Sequence, residues 1–313
     1  MWKVDCVVSI GGFLFSQVVS VEIDSSTQRL GNTAKVELPK RAFLYPENRV
    51  TLEREIKRGM KVTVKMGYDG DMQTEFTGYV TSVTTTEDRL VVQCEDAAYK
   101  LRKPLTNKSW KKATLKEIMA YITTGIEIEG DLPDVDFENF KIVNISAYSA
   151  LKKLCDECGL VAFFQLTGKL FVGLNFVKKT GEKKIETKYL IKNDLTYRSS
   201  DEKRIRLEAV SLLKDNKRLR VQVGDADGEV RTMNFRNVAT EEELKKIAEN
   251  ELKKWNYDGF EGGFVGFFTP MVYAGYTVML YENNVYKGSY YCVGIKTSLG
   301  EGLRRRVELG IKV

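Results

Sequence analysis

Gly59-Met60-Lys61-Val62-Thr63-Val64-Lys65-Met66-Gly67-Tyr68-Asp69-Gly70 is the stretch on which the fold turns. From Lys61 to Met66 polar and apolar residues alternate, a period of two that puts Val62, Val64 and Met66 on one face of a strand. Asp69-Gly70 comes next, a pair suited to a tight hairpin turn, and a second alternating run, Thr74–Thr85, follows it. Two alternating runs around such a turn predict a β-hairpin.

Outward from that hairpin the same pattern recurs at Val4–Ile10, Val18–Ile23, Ala34–Leu38 and Leu90–Cys94, punctuated by Gly11-Gly12, Gly59 and Glu87-Asp88. Six or seven strands in a meander are most economically rid of exposed edges by closing into a small barrel. At Thr114 the pattern changes. Thr114-x-x-Glu117 is a capping box, followed by Leu115, Ile118, Met119 and Ile122 on one helical face, with Gly125 as the stop. Ser146 caps a second helix, Ala147–Cys158, ended by Gly159. A hairpin about Thr167-Gly168 comes next, and Lys178–Lys184 reads as an exposed connector.

Strands then return at Arg204–Leu213, Arg218–Val223, Glu229–Asn234, Gly262–Phe268, Tyr276–Tyr281, Tyr286–Thr297 and Arg304–Lys312. One helix, about 240–255, interrupts them behind a second capping box, Thr240-x-x-Glu243. The expected fold class is mainly β with an α+β insert: a first β-barrel domain over 1–108, the insert over 109–185, and a second β-barrel domain over 186–313.

Composition narrows the chemistry. The 313 residues carry 49 Lys and Arg against 43 Asp and Glu, a formal charge of +6, and no histidine. Without histidine there is no Ser-His-Asp triad, no His-ligated zinc or haem, and no imidazole base near neutral pH. Five scattered cysteines, an odd number, argue against a disulfide framework and for a reducing compartment. The apolar stretch Cys6–Val21 is broken by Gly11-Gly12 and carries Ser9, Ser16 and Gln17, so it reads as a hairpin and not as a signal peptide. No apolar run is long enough for a membrane span.

Four motifs invite a functional role. Cys155-x-x-Cys158 closes a helix instead of opening one, and both thiols lie on its apolar stripe, which favours core cysteines over a redox or zinc pair. Asp225-x-Asp227-Gly228 begins like a calcium loop but lacks the acidic residue at its twelfth position, so a polar turn is expected. Gly259, Gly262, Gly263 and Gly266 follow a helix and enter a strand, the wrong order for a phosphate loop and the right one for a bent strand. Along the last strand Arg304, Arg306 and Glu308 share one face, with Leu303, Arg305, Val307, Leu309 and Ile311 on the other. No catalytic constellation, cofactor motif or metal-ligand set emerges.

The run Gly59–Tyr68 with Thr74-Glu75-Phe76-Thr77-Gly78-Tyr79-Val80 resembles the "Gly, strand, Gly-Tyr, turn, Phe-x-Gly-x-Val" pattern of contractile-tail baseplate hub proteins. These include the phage late control protein D family and the N-terminal part of type VI secretion spike proteins. The motif positions are Gly59, Gly67, Tyr68, Phe76 and Gly78, joined by Gly275 in Gly275-Tyr276-Thr277-Val278, where Tyr276 stands in place of the more usual Asp. The resemblance implies a structural protein, not an enzyme. Two barrels per chain in a homotrimer would make six, an adaptor between a hexameric tail tube protein and a trimeric spike protein. The chain ends at Val313 with no needle, so the spike is expected to be a separate polypeptide. Other baseplate proteins are further implied partners, with transient passage of DNA or an effector. Arg304 and Arg306 would then line a lumen or a solvated outer face, the latter favoured by strand alternation. The implied location is a virion tail or injection-apparatus baseplate, assembled in the bacterial cytoplasm. Alternatives from other classes are a carbohydrate- or nucleic-acid-binding β-barrel and a cell-wall hydrolase built on two carboxylates.

Overall fold

The computed structural model describes residues 2–40, 52–199, 204–213 and 217–313. The expected hairpin lies within the first β unit. Its strands are β1 (Val4–Ile10), β2 (Phe13–Phe15), β3 (Ser20–Ser26), β4 (Thr33–Pro39), β5 (Lys61–Tyr68), β6 (Asp71–Thr85) and β7 (Arg89–Glu95), with a single helical turn α1 (Leu52–Glu55) before β5. They pair in the order β3-β4-β7-β6-β5-β1-β2. Val62, Val64 and Met66 are buried, as the alternation requires. Tyr68 faces Asp71 across a turn in which Asp69 (φ 50°) and Gly70 (φ 86°) are both left-handed, matching the right-handed twist of the flanking strands.

The α+β insert comprises β8 (Lys108–Thr114), α2 (Leu115–Ile122), β9 (Ile128–Glu129), β10 (Asp136–Ile142), α3 (Ala147–Cys158), β11 (Val161–Phe164) and β12 (Leu170–Gly173). The capping box forms: Glu117 N donates to Thr114 Oγ1 at 3.2 Å, and Thr114 N donates to Glu117 Oε2 at 2.7 Å. α3 starts at Ser146 and stops at Gly159, left-handed at φ 66°. Leu115, Ile118, Met119 and Ile122 of α2 meet Leu151, Leu154, Cys155 and Cys158 of α3 in one apolar core.

The joint between the first unit and the insert is polar. Asp96 accepts from Asn32 N and Ala98 N, both at 2.9 Å, and so caps the 3-10 turn Ala97–Arg102. Beside it, Arg102 grips Glu95 at 2.6 and 3.1 Å. Burial pushes the Asp96 carboxyl up from its ordinary 3.8 to about 7, desolvation outweighing the two backbone donors. An acid with a raised folded pKa adds stability while protonated; the increment is full below the unfolded value and is lost as pH rises through about 7. Asp96→Asn removes this titration. The melting temperature of the variant minus that of the wild type should therefore rise between about pH 4 and about pH 8. A difference that does not move with pH would show Asp96 ionised throughout.

The second half adds β13 (Gly181–Glu186), β14 (Lys192–Asn193), β15 (Thr196–Arg198), β16 (Ile205–Leu212), β17 (Arg218–Gly224), β18 (Glu229–Arg236), α4 (Glu241–Leu252), β19 (Gly259–Phe267), β20 (Tyr276–Glu282), β21 (Val285–Leu299) and β22 (Leu303–Lys312). Three features differ from the sequence-based expectation. First, the strand pairings run as an open path and do not close into rings among the described residues: β14-β19-β22-β21 continues directly into β3 and the whole first unit, one sheet of 14 strands. The cause is the length of β21. Val285–Tyr291 pairs with β20, while Gly294–Leu299 pairs with β3, so a 15-residue strand serves both units. Second, among the described residues β16, β17 and β18 pair only with one another, and they pack on α4, Leu207, Ala209 and Phe235 meeting Leu244, Ile247 and Ala248. Third, part of the supposed connector is a strand, since β13 pairs parallel with β20 and buries Ile185 while Lys183 and Lys184 stay exposed.

Candidate functional site

Where the two β units meet, the sheet encloses charge. Val64 faces Phe76 but Lys65 faces Thr74, which makes Glu75 the extra residue of a β-bulge. The bulge turns Glu75 and Phe76 inward together, at 6% and 3% exposure. Across the junction Arg305 of β22 is 1% exposed. Its Nη2 lies 2.5 Å from Glu75 Oε1, in contact but not aligned as a hydrogen bond, and its Nη1 donates to Val272 O at 2.6 Å. Thr297 Oγ1 of β21 donates to Glu75 Oε2 at 3.1 Å. The guanidinium also sits 4.5 Å from the ring centre of Phe268 and 5.3 Å from that of Tyr273. Burial, reinforced by the Glu75 carboxylate, pushes the Tyr273 phenol well above its ordinary range.

Tyr68 makes the second cross-link. Its hydroxyl donates to Leu303 O at 3.1 Å and accepts from Phe268 N at 3.4 Å, and its ring meets Phe268 edge-on at 6.3 Å. Phe268 and Leu303, far along the chain, belong to the core of the first unit. The arrangement is closed to solvent at Arg305 and Thr297, which are 1% and 0% exposed. What it does physically is lock two β units into one body through a paired charge, a bridging phenol and a shared strand.

Of the motif residues, Tyr68 and Phe76 lie at this junction, and Gly67 and Gly78 shape the hairpin that carries them. A Cβ on Gly67 would fall 1.8 Å from Asp71 O, and one on Gly78 2.3 Å from Glu95 O, so neighbouring backbone excludes any side chain at either position. Gly59 (φ 88°) precedes β5 beside Tyr99, and Gly275 (φ 90°) opens β20 beside Thr180; both take the left-handed conformation that glycine tolerates best. Tyr276, next to it, lays its ring over Gly181.

Arg304 and Arg306 lie on the opposite face of β22. Arg304 stacks on Phe267 at 5.3 Å, and Arg306 pairs with Asp194 at 3.1 Å and Glu308 at 3.8 Å. That face continues as a ladder of alternating charge: Lys296 to Glu22 at 3.3 Å, Lys35 to Glu37 at 2.6 Å and Arg89 to Glu37 at 2.8 Å. Exposed pairs of this kind contribute little stability individually. Together they make one face of the sheet polar from β22 to β7.

The remaining motifs are structural. Cys155 and Cys158 are buried; burial pushes the Cys158 thiol up to about 12 and the Cys155 thiol higher. Asp225 receives Arg204 Nε at 2.6 Å and Asp227 N at 3.0 Å, closing a polar turn, and the hydrogen bond from Arg204 holds its carboxyl below the usual range. Gly262 and Gly263 let β19 approach Asp194 O and Val307 O, each of which would lie 2.6 Å from an added Cβ. Among the described residues no three Cys, Asp or Glu side chains converge where they could hold a metal ion. Glu75 was not legible as a site residue, because the bulge that buries it breaks the alternation. Arg305 carried a signal: an arginine on the face of Leu303, Val307 and Leu309 requires a carboxylate opposite it.

Comparison with solved structures places this fold. The tail protein from Neisseria meningitidis MC58 superposes with a TM-score of 0.66 at 15% identity, over 98% of this chain and 96% of that one. The 43 kDa tail protein of prophage MuSo2 from Shewanella oneidensis gives 0.62 at 16% identity, over 97% of each chain. An Escherichia coli component of the type VI secretion system, itself described as structurally similar to bacteriophage T4 tail proteins, gives 0.62 at 9% identity over 98% of this chain and 76% of that one. The chain thus has the fold of phage tail proteins; identities this low carry the fold alone. The family model of the Alg8 N-terminal domain matches residues 12–149, less than half of the chain, from just after β1 to the first turn of α3. No curated protein matches the sequence.

Proposed function

We propose that this chain is a structural subunit of a contractile phage tail or related injection apparatus: a baseplate hub of the late control protein D type, without enzymatic activity. One observation carries the proposal. The tail-protein fold accounts for the chain from end to end, both β units and the insert included, at 96% coverage or more of two separate tail proteins. Three copies would present six β units, and such a ring reconciles a six-fold tube with a three-fold spike. The partners are then a second and third copy of the chain, the tail tube, the spike and neighbouring baseplate proteins, within a tail or injection-apparatus baseplate. The junction suits a mechanical part, since the sheet shared through β3 and β21 transmits force by backbone hydrogen bonds. In this assembly the charge ladder carrying Arg304 and Arg306 is a solvated face of the ring, with both signs interspersed.

Light scattering behind size-exclusion chromatography, over a range of concentrations, should give three times the 35.6 kDa chain mass. The trimer is expected alone or once the spike and tube proteins of the same system are added. A chain that stays monomeric under all of these conditions would remove the hub assignment.

A further inference from the structure

The three-stranded sheet of β16, β17 and β18 has an open margin at β17. Among the described residues β17 pairs with β16 alone, in a register that runs from Leu212 opposite Arg218 to Arg206 opposite Gly224 without a bulge. Just beyond its two ends Leu213 N donates to Lys217 O and Asp225 N to Ile205 O, both at 2.9 Å, which fixes the alternation of the ladder between them. The backbone N–H and C=O groups of Leu219, Val221 and Val223 therefore point to β16. Those of Arg218, Arg220 and Gln222 point away from it, and no backbone hydrogen bond among the described residues meets them. Below this edge α4 covers the sheet, yet Leu219, Val221 and Val223 are only half-buried, while Leu207 and Ala209 beside them on β16 are 0% exposed. Above it Arg218 and Arg220 are exposed, and neither touches a carboxylate among the described residues. The acid that β16 contributes to this upper face, Glu208, accepts from Gln222 Nε2 at 2.9 Å. No proline interrupts the strand. Its arginines are what guards it, because a second copy of the chain laid edge to edge about Arg220 would set guanidinium beside guanidinium.

We infer that β17 is a docking edge for an extended segment of a partner polypeptide in which acidic and apolar residues alternate. The segment would add a fourth strand to the sheet, hydrogen-bonded to the outward backbone groups of Arg218, Arg220 and Gln222. Residues directly opposite one another share a face. Its carboxylates would thus lie against Arg218 and Arg220, and the apolar residues between them would close over Leu219, Val221 and Val223. Charge complementarity selects the acid. The spacing selects an extended chain, since Arg218 and Arg220 stand about 7 Å apart along the strand, the repeat of alternate residues in a neighbouring strand. No position of β16, β17 or β18 on the face of Arg220 is aromatic, so the face has no platform on which to stack the bases of a single-stranded nucleic acid. The inference stands independently of the tail assignment.

Fluorescence anisotropy of a labelled nonapeptide that alternates glutamate and valine, titrated with the intact protein, tests it. The wild type should bind this peptide. The double variant Arg218→Glu, Arg220→Glu, changed at two exposed positions, should lose about tenfold or more in affinity, because attractive cross-strand pairs become repulsive. It should take up instead the peptide with lysine in place of glutamate. Methylating one alternate set of peptide nitrogens should abolish binding, since only half of them face β17, and methylating the other set should not. Circular dichroism and melting temperature would verify that the double variant folds. No binding by the wild type, or an affinity that either the charge reversal or both methylations leave unchanged, would overturn the docking edge. Equal affinity for a peptide of the same composition with its glutamates in one block would overturn the alternation. Binding of oligothymidylate as tight as that of the peptide, or dissociation of wild-type oligomers by the peptide, would overturn the choice of partner in favour of a nucleic acid or a second copy of the chain.

Discussion

Replacing Arg305 with methionine should cost about 3–5 kcal/mol of folding stability, because it leaves the Glu75 carboxylate buried without its counter-charge. Glu75 and Arg305 side chains are 3% and 1% exposed, so water does not relieve the loss. Methionine keeps much of the volume against Phe268 and Tyr273, so charge and not packing is the main thing removed. Glu75→Gln in the same chain removes the stranded charge while still accepting from Thr297 Oγ1. The double variant should recover about 2 kcal/mol of the deficit, the size of coupling expected between contacting groups. Urea unfolding followed through the fluorescence of the three tryptophans measures all three differences. A single variant within about 1 kcal/mol of the wild type would mean that the pair is solvated and does not lock the units.

Gly67→Ala should destabilise the chain by about 3 kcal/mol or more, at the upper end for added methyl groups, since the new Cβ is aimed at a carbonyl oxygen that cannot move aside. Asp71 O, 1.8 Å from that position, is held by the hairpin turn. Two glycines serve as internal controls. Gly70→Ala meets nothing within 4 Å but inherits φ 86°, which should cost about 1 kcal/mol. Gly300→Ala meets nothing and has no positive φ, and should fall within about 0.5 kcal/mol of the wild type. If all three variants melt together, the strands part at Gly67 and the motif glycine is not required by packing.

Much of the local structure was legible because it rests on neighbours in the chain. The Thr114 and Thr240 caps, the Ser146–Gly159 limits of α3 and the Asp69-Gly70 turn each depend on a few consecutive residues and a fixed periodicity. The nature of Cys155-x-x-Cys158 was legible for the same reason, since position on a helical stripe decides burial. Pairing partners were not. Strands β16 to β18 alternate much like those of the large sheet, and nothing in their own sequence says that α4 will cover them. The strand inside Lys178–Lys184 was hidden by lysines, because an edge strand with one exposed face has the composition of a connector.

Short-range order and composition are enough to make this chain mainly β with an α+β insert and to leave it without histidine for the commonest catalytic chemistry. Those are properties of composition and of short-range order, where side-chain period and turn chemistry act within a few residues. That two β units share one sheet through β21 and β3, that a bulge turns Glu75 inward, and that Arg305 waits there 230 positions later to pair with it came from contacts between distant segments. Bulges and strand partners are chosen by whatever surface is available to bury, and that surface exists only once distant segments have met.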